Sequence, residues 1–232
     1  MSICRRELGT YFNSPVAYIV VTAFLLVSGY LFFSQVFYIG EASMRNFFGT
    51  APLLFIFFAP AITMRLMAEE KRMGTLELLI TMPVSDWEVV LGKFFAAIGL
   101  FAAAILLTLT YPLTIASMGD LDWGTVIGGY LGLLLLGSAY LAIGLMASSW
   151  TQNQVVAFIV SFIITFALFL FGKLLPMMPD FLAPIIEYIS LDAHFTNIAK
   201  GVIDTRDLIY YLTLIGICLF LSVQSLDSRR WR

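Results

Sequence analysis

Long apolar runs alternate with short polar segments along the whole chain, and this alternation predicts its architecture. Six runs approach or exceed the ~20 residues that a helix needs to cross a hydrocarbon core about 30 Å thick. They occupy residues 16–38, 51–67, 89–117, 125–147, 155–175 and 208–226. Backbone groups in lipid must bond within their own segment, whereas the strands of a barrel would alternate in polarity. The pattern therefore predicts an all-α polytopic membrane protein with six transmembrane helices.

Composition supports this class of protein. The 232 residues are 60% hydrophobic and 12% charged, whereas soluble domains carry about 25% charged residues. The first apolar run is longer than the core of a signal peptide, which spans roughly 7–15 residues, so we expect it to remain as an uncleaved span. The net charge of −2 gives no indication of a nucleic-acid partner.

The distribution of basic residues predicts the orientation in the membrane. Six spans place both termini on one side, and nine of the 13 lysines and arginines fall on that side. Because basic residues are enriched in cytoplasmic loops, both termini are predicted to be cytoplasmic. The loops at residues 40–50, 118–123 and 176–207 are then external.

The polar segment at residues 65–93 is longer than a simple connection between the second and third spans requires. Gly74 is expected to end an extension of the second helix beyond the membrane. Pro83 marks a further break. Ser85 and Glu88 then have the spacing of a capping box, which predicts the start of the next helix.

Between these breaks, Thr75 begins a predicted short helix. Leu76, Leu79 and Ile80 share one face of it at the i, i+3, i+4 spacing, and we call these three residues the apolar ridge. A partner that buries the ridge would offset the entropy cost of ordering this segment. A helix that rests on lipid headgroups explains the same pattern, and the spacing alone leaves both interpretations open.

One stretch of this polar segment, EEKRMGTLELLITMPVSDWEVVLGKF, closely resembles the cytoplasmic loop of ABC-2 type transporter permeases, the membrane subunits of type-2 ABC exporters. The resemblance covers nearly all of the chain, including the six spans and the long outer loop. A late stretch, SLDAHFTNIAKGVIDTRDLIYYLTLI, is most similar to the permease component associated with gliding motility. A more distant similarity is to the nitrous-oxide reductase maturation permease.

The resemblance implies a type-2 ABC exporter fold in a bacterial inner membrane, with a coupling loop that seats in a separate ABC ATPase. Two ATPases, which hold ATP and Mg, would drive this chain and a second permease copy or a paralogue, and no cofactor is expected on this chain. Membrane lipids and a periplasmic auxiliary subunit are further expected partners. Arg5 and Arg6 match the connecting helix of the family. Besides the apolar ridge, the residues matched to the docking loop are Glu69, Glu70, Gly74, Thr75, Glu77 and Pro83.

The implied organisation is a single ABC-2 transmembrane domain over residues 1–232. Its parts, in chain order, are an interfacial connecting helix (1–15), spans 1 and 2 (16–67), the coupling loop (68–88), spans 3 to 5 (89–175), an outer re-entrant or interfacial segment (176–207), span 6 (208–226) and a cytoplasmic tail (227–232). From the residues alone, the segment 1–15 fits either a helix along the membrane surface or a short disordered tail.

No sequence pattern for catalysis is evident. The sequences nearest to a phosphate-binding loop, around Lys93 and Lys173, lack both the following hydroxyl and the upstream glycine, so ATP hydrolysis is expected on another polypeptide. His194 has no H-E-x-x-H context, and we expect a structural or interfacial use, with pH sensing as an open alternative. Cys4 and Cys218 are predicted to form neither a disulfide nor a metal site.

Polar residues inside the spans are candidates for lining a translocation path. Single hydroxyls in membrane helices commonly bond their own backbone, and this alternative stands beside each of them. Separately, Gly128 and Gly132 form a G-x-x-x-G pattern, which predicts close helix packing. The path-lining candidates are Thr22, Ser28, Ser34, Gln35, Thr63, Ser161 and Thr165.

The function predicted from the sequence is a permease that couples ATP hydrolysis by a separate subunit to export of, or mechanical work on, a cell-envelope substrate. The alternative is a non-transporting membrane anchor that recruits an ATPase to an envelope complex. A secondary transporter is disfavoured, because the chain lacks the internal repeats and charged midplane groups of that class.

Overall fold

The fold consists of helices. The computed structural model describes residues 2–39, 43–75, 85–117, 119, 121–177, 179, 181, 183–202 and 204–230, and no strand occurs among them. Six helical segments within these ranges are long and apolar enough to cross a membrane. The predicted all-α polytopic architecture is therefore confirmed.

The helices follow the predicted order along the chain. They are α1 (Ser2–Asn13), α2 (Pro15–Ile39), α3 (Arg45–Met73), α4 (Asp86–Leu107), α5 (Thr110–Ala116), α6 (Trp123–Trp150), α7 (Gln154–Leu174), α8 (Ala183–Ile189), α9 (Leu191–Ala199) and α10 (Thr205–Arg230), with a 3₁₀ helix at Leu175–Met177 after α7. Helices α4 and α5 together form the third span, Asp86–Ala116. The first fifteen residues are thus mainly helix, not an irregular tail.

Local side-chain chemistry determines where several helices begin and end. The predicted capping box is present at α4, where the Ser85 hydroxyl accepts from the backbone of Glu88 and the Glu88 carboxylate accepts from the backbone of Ser85. Asp122 and Asn153 cap α6 and α7 in a similar way. At the other end of α3, Gly74 has φ 70°, a left-handed conformation that glycine adopts without strain.

Helix α6 is the centre of the bundle. In its most apolar stretch 72% of the residues are buried, against 22% in α2 and in α7. It packs against α3, α7, α9 and α10, and its glycines permit close approach. A β-carbon on Gly128 would lie 2.8 Å from the carbonyl oxygen of Ile198, and one on Gly132 would lie 3.1 Å from the Phe195 ring. The predicted role of this glycine pair in close packing is confirmed.

Helix α1 and the last turns of α10 lie at one end of the bundle. Glu7 of α1 and Glu70 of α3 share Lys93 of α4 as a partner. Ser148 and Ser149, in the last turn of α6, bond to α3 and α10 at the same end. We call this end the terminal side and the opposite end, which carries α8 and α9, the distal side.

The apolar faces of α2 and α7 are left largely uncovered by the rest of the chain. Tyr30 and Phe37 of α2 are exposed, as are Val155 and Ile163 of α7. In a membrane protein such faces contact lipid or another membrane-spanning chain.

The close packing of α6 can be tested at Gly137. A β-carbon there would lie 2.0 Å from two ring atoms of the buried Phe101, so Gly137→Ala forces the ring to move. Overpacking of this kind costs about 1–3 kcal/mol, which exceeds the gain of about 1 kcal/mol from the higher helix propensity of alanine. We expect a lower midpoint of thermal unfolding for the purified protein in detergent.

Gly216→Ala is the matched control for this test, because no atom lies within 4 Å of a β-carbon at that exposed position of α10. It should unfold at the wild-type temperature or slightly above it. A Gly137→Ala protein as stable as the Gly216→Ala protein would show that the contact with Phe101 does not constrain the bundle.

Candidate functional site

A charged junction joins three helices on the terminal side, and we define it as Arg6, Glu7, Glu70 and Lys93. The Lys93 ammonium lies 2.7 Å from Oε1 of Glu70 and 3.3 Å from Oε1 of Glu7. Arg6 Nη2 lies 3.0 Å from Oε1 of Glu7 and 4.0 Å from Oε1 of Glu70. Two cations therefore face two carboxylates across α1, α3 and α4.

The burial of Lys93 makes these ion pairs necessary. Its side chain is 1% exposed, and an ammonium removed from water is stable only when it is paired and hydrogen-bonded. Glu7 and Glu70 are 12% and 17% exposed, so both carboxylates are also mostly removed from solvent. The second oxygen of Glu70, Oε2, is buried and has no hydrogen-bond donor among the described residues.

The junction closes the base of the segment matched to the coupling loop. Glu70 lies before residues 76–84 and Lys93 lies after them, so their ion pair holds the two ends of this segment together. Glu7 adds α1 to the same contact. The junction therefore links α1 to the two helices that flank residues 76–84.

Helix α1 is held against the bundle at both of its ends. Near its beginning, Ile3 and Leu8 lie over Gly92 and Gly99 of α4. Near its end, the Tyr11 hydroxyl donates to the carbonyl oxygen of Ile62 in α3 at 2.9 Å. Burial raises the pKa of the Tyr11 hydroxyl, and the nearby Glu7 carboxylate raises it further, so this group remains a donor at neutral pH.

The last turn of α6 fixes the end of α3. Ser148 accepts from the backbone amides of Met67 and Ala68 at 3.1 and 3.0 Å, and it donates to the carbonyl oxygen of Met64 at 3.1 Å. The carbonyl oxygen of Ser149 accepts from Lys71 of α3 and from Ser225 of α10. This turn joins α3 and α10 one to two turns from the charged junction.

The residues matched to the docking loop are only partly covered by the structure. Glu69 pairs with Arg65 on α3, where Nε donates to Oε2 at 2.8 Å. Glu70 lies in the charged junction, and Gly74 and Thr75 directly follow α3. Of the connecting-helix pair, Arg5 is exposed on α1 and Arg6 belongs to the junction. Outside the described residues lie Leu76, Glu77, Leu79, Ile80 and Pro83.

Three path-lining candidates meet at the centre of the bundle. Thr63 of α3 and Ser161 of α7 both face Gly144 of α6, and Thr63, Ser161 and Gly144 are all buried. Thr63 donates to the carbonyl oxygen of Ala59 on its own helix, and the Ser161 hydroxyl has no bond to any described residue. Thr165 donates to the carbonyl oxygen of Ser161 one turn away.

The candidates on α2 lie elsewhere. Ser28 is buried against the Tyr111 hydroxyl at 3.1 Å. Ser34 donates to the backbone of its own helix at Leu31, Gln35 is half-buried and Thr22 is exposed. The seven candidates therefore do not form one continuous lining within a single chain.

A second polar cluster lies on the distal side. Nδ1 of His194 lies 2.6 Å from Oδ1 of Asp207, and Nε2 lies 3.2 Å from the carbonyl oxygen of Tyr188. Its ring stacks on Tyr210 with 4.1 Å between centroids. Both ring nitrogens therefore face oxygen atoms. This buried arrangement agrees with the predicted structural use of His194.

Sequence reasoning did not find Lys93 or Glu7 as parts of a site. The available signal was the position of Lys93 within an apolar span, where a charge requires a partner. Lys173 at the end of α7 pairs with Asp192 of α9 at 2.8 Å, a contact between residues 19 positions apart that no local pattern indicates.

The described residues thus form six helices long enough to span a membrane, with α1 packed on their terminal side and an ion pair between α3 and α4. Residues 10–223 match the family described as ABC-2 family transporter protein. The chain belongs to this ABC-2 transporter family, whose members are membrane permeases, and the predicted family is confirmed.

Two bacterial relatives agree with this assignment. The chain is 30% identical over 162 residues to the ABC transporter permease protein NatB of Bacillus subtilis, and this region is 63% of the chain and 42% of NatB. It is 29% identical over 149 residues to the probable multidrug ABC transporter permease YbhR of Escherichia coli, which is 61% of the chain and 38% of YbhR. The matched region is thus less than half the length of either relative, and neither is named for gliding motility.

The role of Lys93 can be tested by Lys93→Met, which leaves two carboxylates facing each other without their buried ammonium. Loss of one partner from a buried ion pair costs about 3–5 kcal/mol, and we expect the low end of this range because Glu7 and Glu70 retain some exposure. Thermal or denaturant unfolding of the purified protein measures the loss.

The double variant Lys93→Met, Glu70→Gln is the control, because it removes the opposing charge as well. It should recover part of the lost stability, since Arg6 still neutralises Glu7. Equal stability of Lys93→Met and wild type would show that the junction does not hold these helices together.

Proposed function

We propose that the chain is the permease subunit of an ABC exporter, driven by a separate ABC ATPase that docks on the coupling loop. Family membership supports the permease role. In this proposal the terminal side faces the cytoplasm of a bacterium, and the six spans lie in its inner membrane. The chain does not hydrolyse ATP itself; ATP and Mg are bound by the ATPase.

The observation that carries this proposal is the ion pair at the base of the loop. Glu70 and Lys93 are 2.7 Å apart, one on the helix that enters the loop and one on the helix that leaves it. Such a pair would let the two helix ends move together when a partner acts on the loop.

The apolar ridge is the proposed docking surface. Leu76, Leu79 and Ile80 would seat in a groove of the ATPase, and the remaining docking-loop residues would shape the loop around them. Arg5 is exposed on α1, and we expect it to contact the ATPase as well. Two ATPases and two permeases are proposed, and the uncovered faces of α2 and α7 leave surface for a second permease copy or a paralogue.

Docking can be tested with Leu79→Asp, which places a carboxylate on the apolar ridge. Burial of an unpaired charge in an apolar groove is costly, so we expect at least a tenfold loss of co-purified ATPase and loss of stimulated ATP hydrolysis. Thr81→Asp is the matched control, because position 81 lies off the ridge at helical spacing.

The control should retain both binding and stimulation. If Leu79→Asp binds and stimulates the ATPase as Thr81→Asp does, the ridge is not the docking surface. If both variants lose the ATPase, the loop is required but the ridge has no special part in docking.

The proposed cargo is a cell-envelope substrate. The resemblance to the gliding-motility permease also supports a second function, that of a non-transporting membrane anchor.

Reconstitution of the permease with its ATPase separates the two functions. A transporter moves extracted envelope lipids or glycans across the vesicle membrane only with ATP, and this movement should stop in Lys93→Met. An intact complex that hydrolyses ATP but moves no envelope component would favour the anchor.

A further inference from the structure

A cavity of about 500 Å³ lies between α1, α2 and α3 on the terminal side. Its volume falls within the range of about 300–1,000 Å³ that is typical of small-molecule sites. The cavity shares Glu7, Glu70 and Lys93 with the charged junction but extends away from it along α2 and α3.

The lining changes from charged to apolar along the cavity. Arg65 and Glu69 of α3 lie towards the terminal end, and Ala61 of α3 lies at the deep end with Ala17 and Val20 of α2. The eight residues from Glu69 to Ala61 correspond to about 12 Å of helix. The change from a charged rim to an apolar slot follows the same order as the change from headgroups to acyl chains in a bilayer.

The rim carries charges of both signs. Arg6, Arg65 and Lys93 face the cavity together with Glu7, Glu69 and Glu70, so the charges balance. A balanced rim is complementary to a zwitterion, whereas it gives an anionic headgroup no net attraction. Arg65 binds Glu69 through Nε and Nη2, which leaves the Nη1 donors to reach a phosphate.

The rim also favours an ammonium that can donate hydrogen bonds. The Glu69 side chain is 30% exposed at the rim, whereas the Glu70 side chain is 17% exposed. A primary ammonium can donate to such carboxylates, whereas a trimethylated ammonium has no N–H to donate.

We propose that this cavity holds one phospholipid with a primary ammonium headgroup, of the phosphatidylethanolamine type. Its phosphate accepts from Arg6 and Arg65, its ammonium donates to Glu69, and one acyl chain lies between α2 and α3. A docked protein segment is a poorer occupant, because the deep part of the slot is lined by apolar residues and a polypeptide there would leave its backbone groups unsatisfied. This lipid would be a resident ligand that supports the contact of α1 with α3, not the cargo.

Native mass spectrometry of the full chain can test the proposal. The purified protein is delipidated in detergent and titrated separately with phosphatidylethanolamine, phosphatidylcholine and phosphatidylglycerol. We expect one phosphatidylethanolamine retained per chain under activation that removes the other two lipids. Equal retention of all three lipids, or retention of none, would overturn the proposal.

Two pairs of variants locate the lipid. Val20→Phe fills the apolar slot, and Ile19→Phe adds the same bulk at the neighbouring exposed position outside it. Arg65→Gln removes a rim charge, and Arg72→Gln removes an equal charge from exposed α3 surface outside the cavity. Val20→Phe and Arg65→Gln should each reduce lipid retention at least fivefold. The control variants Ile19→Phe and Arg72→Gln should retain as much lipid as wild type.

Two further outcomes would contradict the proposal. Equal loss in both members of a pair would mean that the lipid binds elsewhere on the surface. Displacement of the lipid by added ATPase subunit would identify the cavity as part of the protein-docking surface instead. Lipid retention is measured on the chain without an ATPase, so a chain that fails to bind an ATPase can still retain the lipid.

Discussion

The burial of one ammonium group determines how the terminal side is assembled. Lys93 is 1% exposed within a helix that is otherwise suited to lipid, and it requires counter-charges at hydrogen-bond distance. The two carboxylates that meet it come from α1 and α3, so the same requirement sets where both helices lie on α4. The ion pair between the helices that flank residues 76–84 and the position of α1 beside the cavity both follow from this contact.

Features that depend on neighbouring residues could be predicted from the sequence. The six spans follow from the length of apolar runs, the end of α3 from Gly74, and the start of α4 from Ser85 and Glu88. Each of these rests on hydrogen bonds within one or two turns of a helix. The charged junction could not be predicted in this way, because Glu7 and Lys93 are 86 positions apart and no local pattern connects them.

The polar residues inside the spans show the same limit. By type alone, Thr63 and Ser161 are equivalent candidates, yet Thr63 bonds its own helix while the Ser161 hydroxyl has no bond to any described residue. No sequence pattern singles out Ser148 and Ser149, although they join three helices. Only the packing of α3 against α6 distinguishes a hydroxyl that connects helices from one that serves its own backbone.

Helix α10 contacts polar groups near both of its ends. Asp207 in its first turn holds His194, and Ser225 close to its other end donates to the last turn of α6. The 18 residues between them correspond to about 27 Å of helix, close to the thickness of the hydrocarbon core. Through Asp207 and His194, this one helix connects the last turn of α6 on the terminal side with α8 and α9 on the distal side.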